Sequence, residues 1–390
     1  MKKKIIFITE ALWIGGIETA LVNLLKSLDY EKYEVTCLIL RNDQTMASRL
    51  PERVRLLVAD RHDAVSFRER YRYARLYHLT EKSENPSRLH RAMMWAVPAI
   101  KWVENQLYIR YIQENLKNEY FDTCVIYSDR AAETAVRAIR AEKFLLFYHH
   151  GAMRRVYHDE IGYRRSEAII AVSRNVENAL RKYRSAHAAK MTTVHNFTDV
   201  EAIREKSREQ TPEAFEEDVF HIVSCGRISP EKGMDLAVEA CAALVAAGHT
   251  RLHWWLVGGG PAEAQVRERI RQLHMESHVT LLGMRNNPYP YMARADLYVQ
   301  PSRVEGYPMT ILEALLLGKP VVATHTEGAR EILRDAENGL LCPIDSARLA
   351  QTVERLLTQR EQLHRLQQAA QNMDFAQRNR QNVALLETLL

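Results

Sequence analysis

Glu305 and Glu313 stand eight positions apart in the stretch EGYPMTILE, with Gly306, Pro308 and Thr310 between them. Proline pre-sets a helical φ and lacks an N–H that a first turn would leave unused, so a helix is expected to begin at about Pro308. Glu305 then lies in the loop before it and Glu313 about one turn inside it, so that both carboxylates border one ligand. A carboxylate within ILEALLLG is costly unless it is paired. The two hydroxyls of a ribose would pair it by donating together to its oxygens. Free N–H groups at the helix start, beside Tyr307, Met309 and Thr310, suit a phosphate. Upstream, GRISPEKG sets Arg227 and Lys232 on one turn ahead of another helix. Arginine offers a planar fork and lysine a point charge, a combination that suits a diphosphate.

Two glycine clusters point the same way. Gly15 and Gly16 open the first helix, and Gly258, Gly259 and Gly260 follow the strand LHWWLV. In both places a missing side chain would let backbone approach a ligand closely. Neither cluster is a GxGxxG dinucleotide signature. After the triple glycine the next strand ends HVTLLGMRN, with Gly283 and Met284 where a nicotinamide site needs an acidic residue. A dehydrogenase therefore ranks last among the readings.

The elements that must position these residues alternate from the first residue. KIIFIT, YEVTCLIL, FDTCVIYS, KFLLFYHH and EAIIAVS are short apolar runs between helical stretches, the pattern of a parallel sheet buried on both faces. IETALVNLLKSL carries Ile17, Ala20, Leu21, Leu24, Leu25 and Leu28 at helical spacing. Residues 199–218 are polar and charged, with one proline, and are expected to be a linker. After them HIVSCG, RLHWWLVGGG, HVTLLG, ADLYVQPS and KPVVATH restart the alternation. The expected fold class is α/β, two doubly wound domains in tandem, with residues 1–198 forming the first and 199–374 the second. Ligands of such sheets sit at the carboxyl ends of the strands, where all the residues named above fall.

The chain has 390 residues, of which 46% are hydrophobic and 26% charged, a globular profile of two-domain length. No apolar run approaches the roughly 20 residues that span a bilayer. The opening MKKKIIFITE has a basic head, but its apolar run is too short for a secretory signal and reads as a buried strand. Five scattered cysteines without CxxC spacing argue against a disulfide framework or zinc site and for a reducing cytoplasm. The net charge of +5 is unevenly shared: residues 1–196 hold 33 basic and 23 acidic side chains, residues 197–390 hold 21 and 26. Residues 61–118 mix 11 basic side chains with Tyr71, Trp95, Trp102, Tyr108 and other aromatics. That mixture suits either an anionic membrane surface or a solvated helical insertion. No nucleic-acid motif accompanies the charge, so nucleic acid is not expected as a partner.

Taken together, GRISPEKG, the GGG turn, LLGMRNNPYPYMARADLYVQPSRVEGYPMTILEALLLGKPVVAT and EGAREIL closely resemble the retaining glycosyltransferases of family 4. The likeness is dense over residues 222–345. It is thinner before, where it rests on Gly15–Gly16, a strand ending in His and AIIAVS ahead of VHNFTD. The resemblance implies the GT-B fold, two Rossmann-like domains facing across a cleft, with a final helix (375–390) packed back on the first. Residue by residue, it implies that Arg227 and Lys232 bind the diphosphate of a nucleotide-sugar donor and that Glu313 takes the ribose. Glu305 would face the transferred sugar in the E-x7-E motif. N–H groups from Tyr307 through Pro308, Met309 and Thr310 to Ile311 would hold phosphate and sugar. Gly15 and Gly16 would close over the diphosphate, and Gly258 and Met284 would border the donor. A histidine ending a first-domain strand contacts the sugar; here FYHHG offers His149 and His150, and the preceding aromatics favour His149. The polar cluster 158–160 is a further candidate on the acceptor side. The family's pattern needs no metal and no cofactor, and a hinge near Asn196 would close the domains. The acceptor is expected to be a glycan or lipid-linked, and the enzyme cytoplasmic, with peripheral contact at the inner face of the plasma membrane. A nucleotide-sugar epimerase and a non-catalytic sugar-nucleotide-binding module are the competing readings.

Overall fold

The computed structural model describes residues 1–13, 15–59, 102–103, 105–149, 160–211 and 213–390. Thirteen strands are placed among them, in two sheets. The first holds β1 (Lys3–Thr9), β2 (Tyr33–Ile39), β3 (Arg55–Val58), β4 (Tyr120–Ile126), β5 (Arg140–Tyr148), β6 (Ala168–Ala171) and β7 (Met191–Thr193), in the order β3-β2-β1-β4-β5-β6-β7. The second holds β8 (Phe220–Cys225), β9 (Leu252–Val257), β10 (Val279–Gly283), β11 (Leu297–Gln300), β12 (Val321–Thr324) and β13 (Leu340–Cys342), in the order β10-β9-β8-β11-β12-β13. Neighbours run parallel in both sheets. Ile5 to Ile8 of β1 are wholly buried, as a strand covered by helices on both faces must be.

Each sheet reverses its winding once, between β1 and β4 and between β8 and β11. These reversals leave crevices at the strands' carboxyl ends. The first crevice receives Gly15–Gly16 and the helix Gly16–Ser27. The second receives the loops that follow β8 and β11. One apolar cluster runs through both units, from Phe7 and Leu21 by way of Phe197 and Ile203 to Tyr291 and Ile311.

Three expectations change. Arg55–Val58 and Met191–Thr193 form edge strands that their short, mixed sequences did not announce. Residues 199–218 are not wholly linker: Val200–Lys206 is a helix. Asp199 caps it by accepting from Ala202 N at 3.1 Å, and Ile203 is buried in the shared cluster. Of the basic segment, residues 60–101 and 104 lie outside the described residues. Residues 105–116 are helical and turn Tyr108, Ile109 and Ile112 into the first domain's core, while Trp102 is exposed.

The last helix, Phe375–Glu387, reaches the first domain. Lys3 Nζ and Thr123 Oγ1 both donate to the carbonyl of Leu390 at 3.2 Å, and Lys32 pairs with Glu387 at 3.2 Å. Asn379 exchanges two hydrogen bonds with the backbone of Thr198. No helix among the described residues is long and apolar enough to cross a membrane.

Candidate active site

The second crevice is built by three loops locked to one another. After β9 the chain passes so close to the end of β8 that a Cβ on Gly258 would lie 1.8 Å from the carbonyl oxygen of Gly226. Gly258 also has φ +148°, so the protein's own backbone already requires glycine there. Ile228 N donates to Gly259 O at 3.0 Å and Ala262 N to Ile228 O at 3.0 Å, which seats the GGG turn on the GRI turn. From the other side, Arg303 grips Asp235 with two bonds, at 2.8 and 2.6 Å, and its N–H donates to Glu231 O at 2.8 Å. The loop after β11 is thereby fixed against the turn that carries Lys232.

That clamp brings Lys232 onto Glu305. The ammonium lies 2.7 and 2.8 Å from the two carboxylate oxygens. Ser302 Oγ donates to Glu305 Oε1 at 2.7 Å and Gln300 Nε2 at 3.1 Å. Gln300 in turn accepts from Thr310 Oγ1 at 2.9 Å. Glu305 is buried, and these donors are what make its charge tolerable there. Lysine has three donors, so one N–H of Lys232 remains for a ligand at the cleft surface. Arg227, on the turn after β8, is exposed.

Glu313 sits deeper, on the helix Met309–Leu316. Burial pushes its carboxyl up to about 7, against the opposing effect of a 3.3 Å bond from Tyr289 OH. Pro308 is the cap before this helix rather than part of its first turn. Ile311 N already donates to Pro308 O at 3.1 Å, so it is not a free donor; those of Met309 and Thr310 have no acceptor within the helix. Tyr307 is buried, and its hydroxyl has no hydrogen-bond partner among the described residues. Met309 is buried, and Met284 is 61% exposed at the mouth of the cleft.

The first domain supplies the facing wall. A Cβ on Gly16 would meet nothing within 4 Å, so this exposed glycine faces open space. Gly15 is different: a Cβ there would strike Glu18 Oε2 at 2.4 Å. Glu18 folds back over the turn, and burial pushes its carboxyl up to about 7, with Arg227 across the cleft drawing it down. His149, one residue past β5, packs its ring against Tyr127 at 4.5 Å and Phe147 at 5.8 Å. His150, His158 and Asp159 lie outside the described residues. Glu160 turns away from the cleft, to His187 at 2.8 Å and Arg184 at 3.2 Å.

A latch joins the two walls. Ser173 Oγ donates to Gly306 O at 3.0 Å. Glu331 accepts from Arg174 N at 2.6 Å and Asn175 N at 3.1 Å, and lies 2.7 Å from His195 Nε2. Burial opposes its charge, but these bonds hold Glu331 below the usual carboxylate range. The His195 ring stacks on Tyr307 at 5.1 Å, with Arg378 on the same ring at 5.6 Å. Sequence reasoning passed over Glu18, Tyr127, Gln300, Ser302, Tyr289 and Glu331. Polar residues just at a strand's carboxyl end, as in YVQPS, were the signal available for Gln300 and Ser302; Glu331 lies far from any motif.

Comparison with known proteins places this geometry. Residues 14–202 match the family model described as Glycosyltransferase Family 4, and residues 204–373 the one described as Glycosyl transferases group 1. A Campylobacter jejuni protein named N-acetylgalactosamine-N,N'-diacetylbacillosaminyl-diphospho-undecaprenol 4-alpha-N-acetylgalactosaminyltransferase is 33% identical over 186 residues, covering 47% of this chain and 48% of that protein. The lipopolysaccharide core biosynthesis glycosyltransferase LpsE of Rhizobium meliloti is 31% identical over 137 residues, covering 35% of this chain and 39% of that one. The chain thus matches less than half the length of either relative. The fold is similar to that of Anabaena HepE in complex with UDP and glucose, with a TM-score of 0.71 at 20% identity over 99% of this chain and 100% of that one. Two parallel-sheet domains of GT-B type, matched by two consecutive models over residues 14–202 and 204–373, show that the chain belongs to the group 1 glycosyltransferases of family 4.

Proposed function

We propose that this protein is a retaining glycosyltransferase. It moves a hexosyl or N-acetylhexosaminyl group from a nucleoside diphosphate sugar, a UDP-sugar in our reading, to a glycan or lipid-linked acceptor in the synthesis of a bacterial surface polysaccharide. The observation that carries the reading is the Lys232–Glu305 pair, set beside the buried Glu313 at one winding reversal and opposite the Gly16–Glu18 turn of the other. The names of the relatives support the acceptor class, and the UDP complex of the similar fold supports the donor.

In this reading Glu313 accepts from the ribose hydroxyls, Arg227 and the third N–H of Lys232 meet the diphosphate, and Met309 and Thr310 turn their N–H groups to it. The glycosidic C–O bond breaks with its electrons going to the diphosphate. The acceptor oxygen bonds to the same carbon from the same face, and its proton passes to the departing phosphate oxygen. The cations and the helix start stabilise the charge that develops there, so no metal is required. Glu305 already takes donors from Lys232, Ser302 and Gln300, so its part is to hold Lys232 in place beside the sugar. His149 stands at the sugar's end of the cleft. The basic first domain would bring the enzyme to an anionic membrane where its acceptor resides.

The experiment is the release of nucleoside diphosphate from UDP-, GDP- and ADP-sugars with and without EDTA, comparing the native protein with Glu313→Ala. Release from one donor by the native protein alone supports the reading. Equal release by the variant would remove Glu313 from the site, and loss of release on adding EDTA would overturn the metal-independent step.

A further inference from the structure

A second cleft lies at the domain interface, behind the proposed donor site. It is lined by Thr19, Lys26, Arg49, Asp199, Lys206 and Tyr289 among others. Three cations, from the first helix, the loop after β2 and the helix Val200–Lys206, therefore line one cleft with a single carboxylate. Asp199 is already committed: it lies 2.7 Å from Lys26 Nζ. Arg49 makes one long bond, 3.5 Å to the carbonyl of Asn286. The ammonium of half-buried Lys206 has no hydrogen bond or ion pair among the described residues. Burial, and then Arg49 and Lys26, hold its pKa below the ordinary lysine value, while Asp199 and the exposed Glu209 act against them.

Two positive charges are thus left without a counter-charge in a partly dry crevice between domains. Separated cations are ordinarily driven apart by repulsion; here packing keeps them together. An anion of charge two between them would cancel the repulsion and accept from all of them. We propose that this cleft binds a phosphate group, with the Arg49 guanidinium as fork, Lys206 as point charge and the Thr19 hydroxyl on the same wall. The donor-site cations Arg227 and Lys232 belong to the turn after β8, so this is a separate site. Tyr289 lines the cleft with its ring and bonds Glu313 with its hydroxyl, which makes it the physical link between the two. The phosphate is carried either by the free ion or by a phosphate monoester, and the titration distinguishes the two. The proposal stands on the cleft alone and does not need the donor reading.

The test is calorimetric titration of the full chain with inorganic phosphate, and in parallel with glycerol phosphate, at constant ionic strength against chloride, with and without UDP. Inorganic phosphate is expected to bind in both conditions. Arg49→Gln and Lys206→Met should each weaken it roughly tenfold or more, and the double variant should abolish it. A monoester binding at least ten times more tightly than the free ion would identify the ester as the ligand. Each variant removes a repelling charge, so its melting temperature without phosphate should hold or rise; Lys206→Gln replaces any Lys206→Met that does not fold. No binding by the native protein, equal binding by the double variant, or displacement of phosphate by UDP would each overturn the site, the last by locating the anion at Arg227 and Lys232.

Discussion

Glu313→Gln should make the protein more stable and less able to hold a nucleotide, and the stability gain should depend on pH. The carboxyl is pushed from 4.5 to about 7 by burial, which at 1.36 kcal/mol per pKa unit is a folding penalty of about 3 kcal/mol in its ionised form. The sign follows from linkage. The folded state holds the proton more tightly than the unfolded state, so the penalty is absent below pH 4.5. It grows between pH 4.5 and 7 and is fully present above 7. Glutamine has the same shape, carries no charge, and can still accept from Tyr289. At pH 8 it should therefore raise the melting temperature of the second domain by roughly 6–12 °C, taking about 2–4 °C per kcal/mol for a domain of that size. At pH 4.5 the two proteins should melt together. UDP binding should weaken roughly 10–100-fold at pH 8, since a charge-assisted bond is worth about 1.5–3 kcal/mol. The assay is calorimetric melting from pH 4.5 to 8.5 with UDP titration on the same samples. A stability difference that stays flat with pH would show that the native carboxyl carries no buried charge, and the account of why the chain places a glutamate there would fail.

Further perturbations separate the roles of neighbouring residues. Lys232→Met leaves Glu305 buried beside only neutral donors, at a cost of about 3–5 kcal/mol, and adding Glu305→Gln should restore the melting temperature without restoring sugar transfer; failure of the second change to restore stability would argue against the pair. Gly16→Ala meets open space and should melt like the native protein while losing activity, whereas Gly258→Ala forces a 1.8 Å clash with backbone and should unfold the second domain; equal melting of the two would contradict that distinction. Glu331→Ala frees two N–H groups of the Arg174–Tyr183 helix and releases His195, so solution scattering should report a more open pair of domains, with an unchanged radius of gyration counting against the latch.

How much of this was written in the sequence can be judged residue by residue. Alternation of apolar runs with helical spacing was enough for two doubly wound sheets, because strands covered on both faces must be apolar throughout and their periodicity is local. The same local logic put Arg227, Lys232 and Glu305 in loops past readable strands and Glu313 on the helix that follows. The edge strands Arg55–Val58 and Met191–Thr193 escaped, being short and half exposed. So did the helix Val200–Lys206, whose one buried side chain, Ile203, finds its partners only in the shared core.

What distance in sequence conceals, only the tertiary structure decided. Lys232 reaches Glu305 across 73 positions because Arg303 and Asp235 clamp their loops together. Glu331 caps a first-domain helix 157 positions earlier, a pairing that no spacing rule contains. Gly258 is a place where two backbones come so close that only glycine fits, which its sequence neighbourhood does not show. Residue types and local periodicity determined which groups this protein carries and at which ends of its strands they lie. Which of them touch, which are charged and which face open space was settled by packing, because each depends on desolvation and on partners that the chain brings together only when it folds.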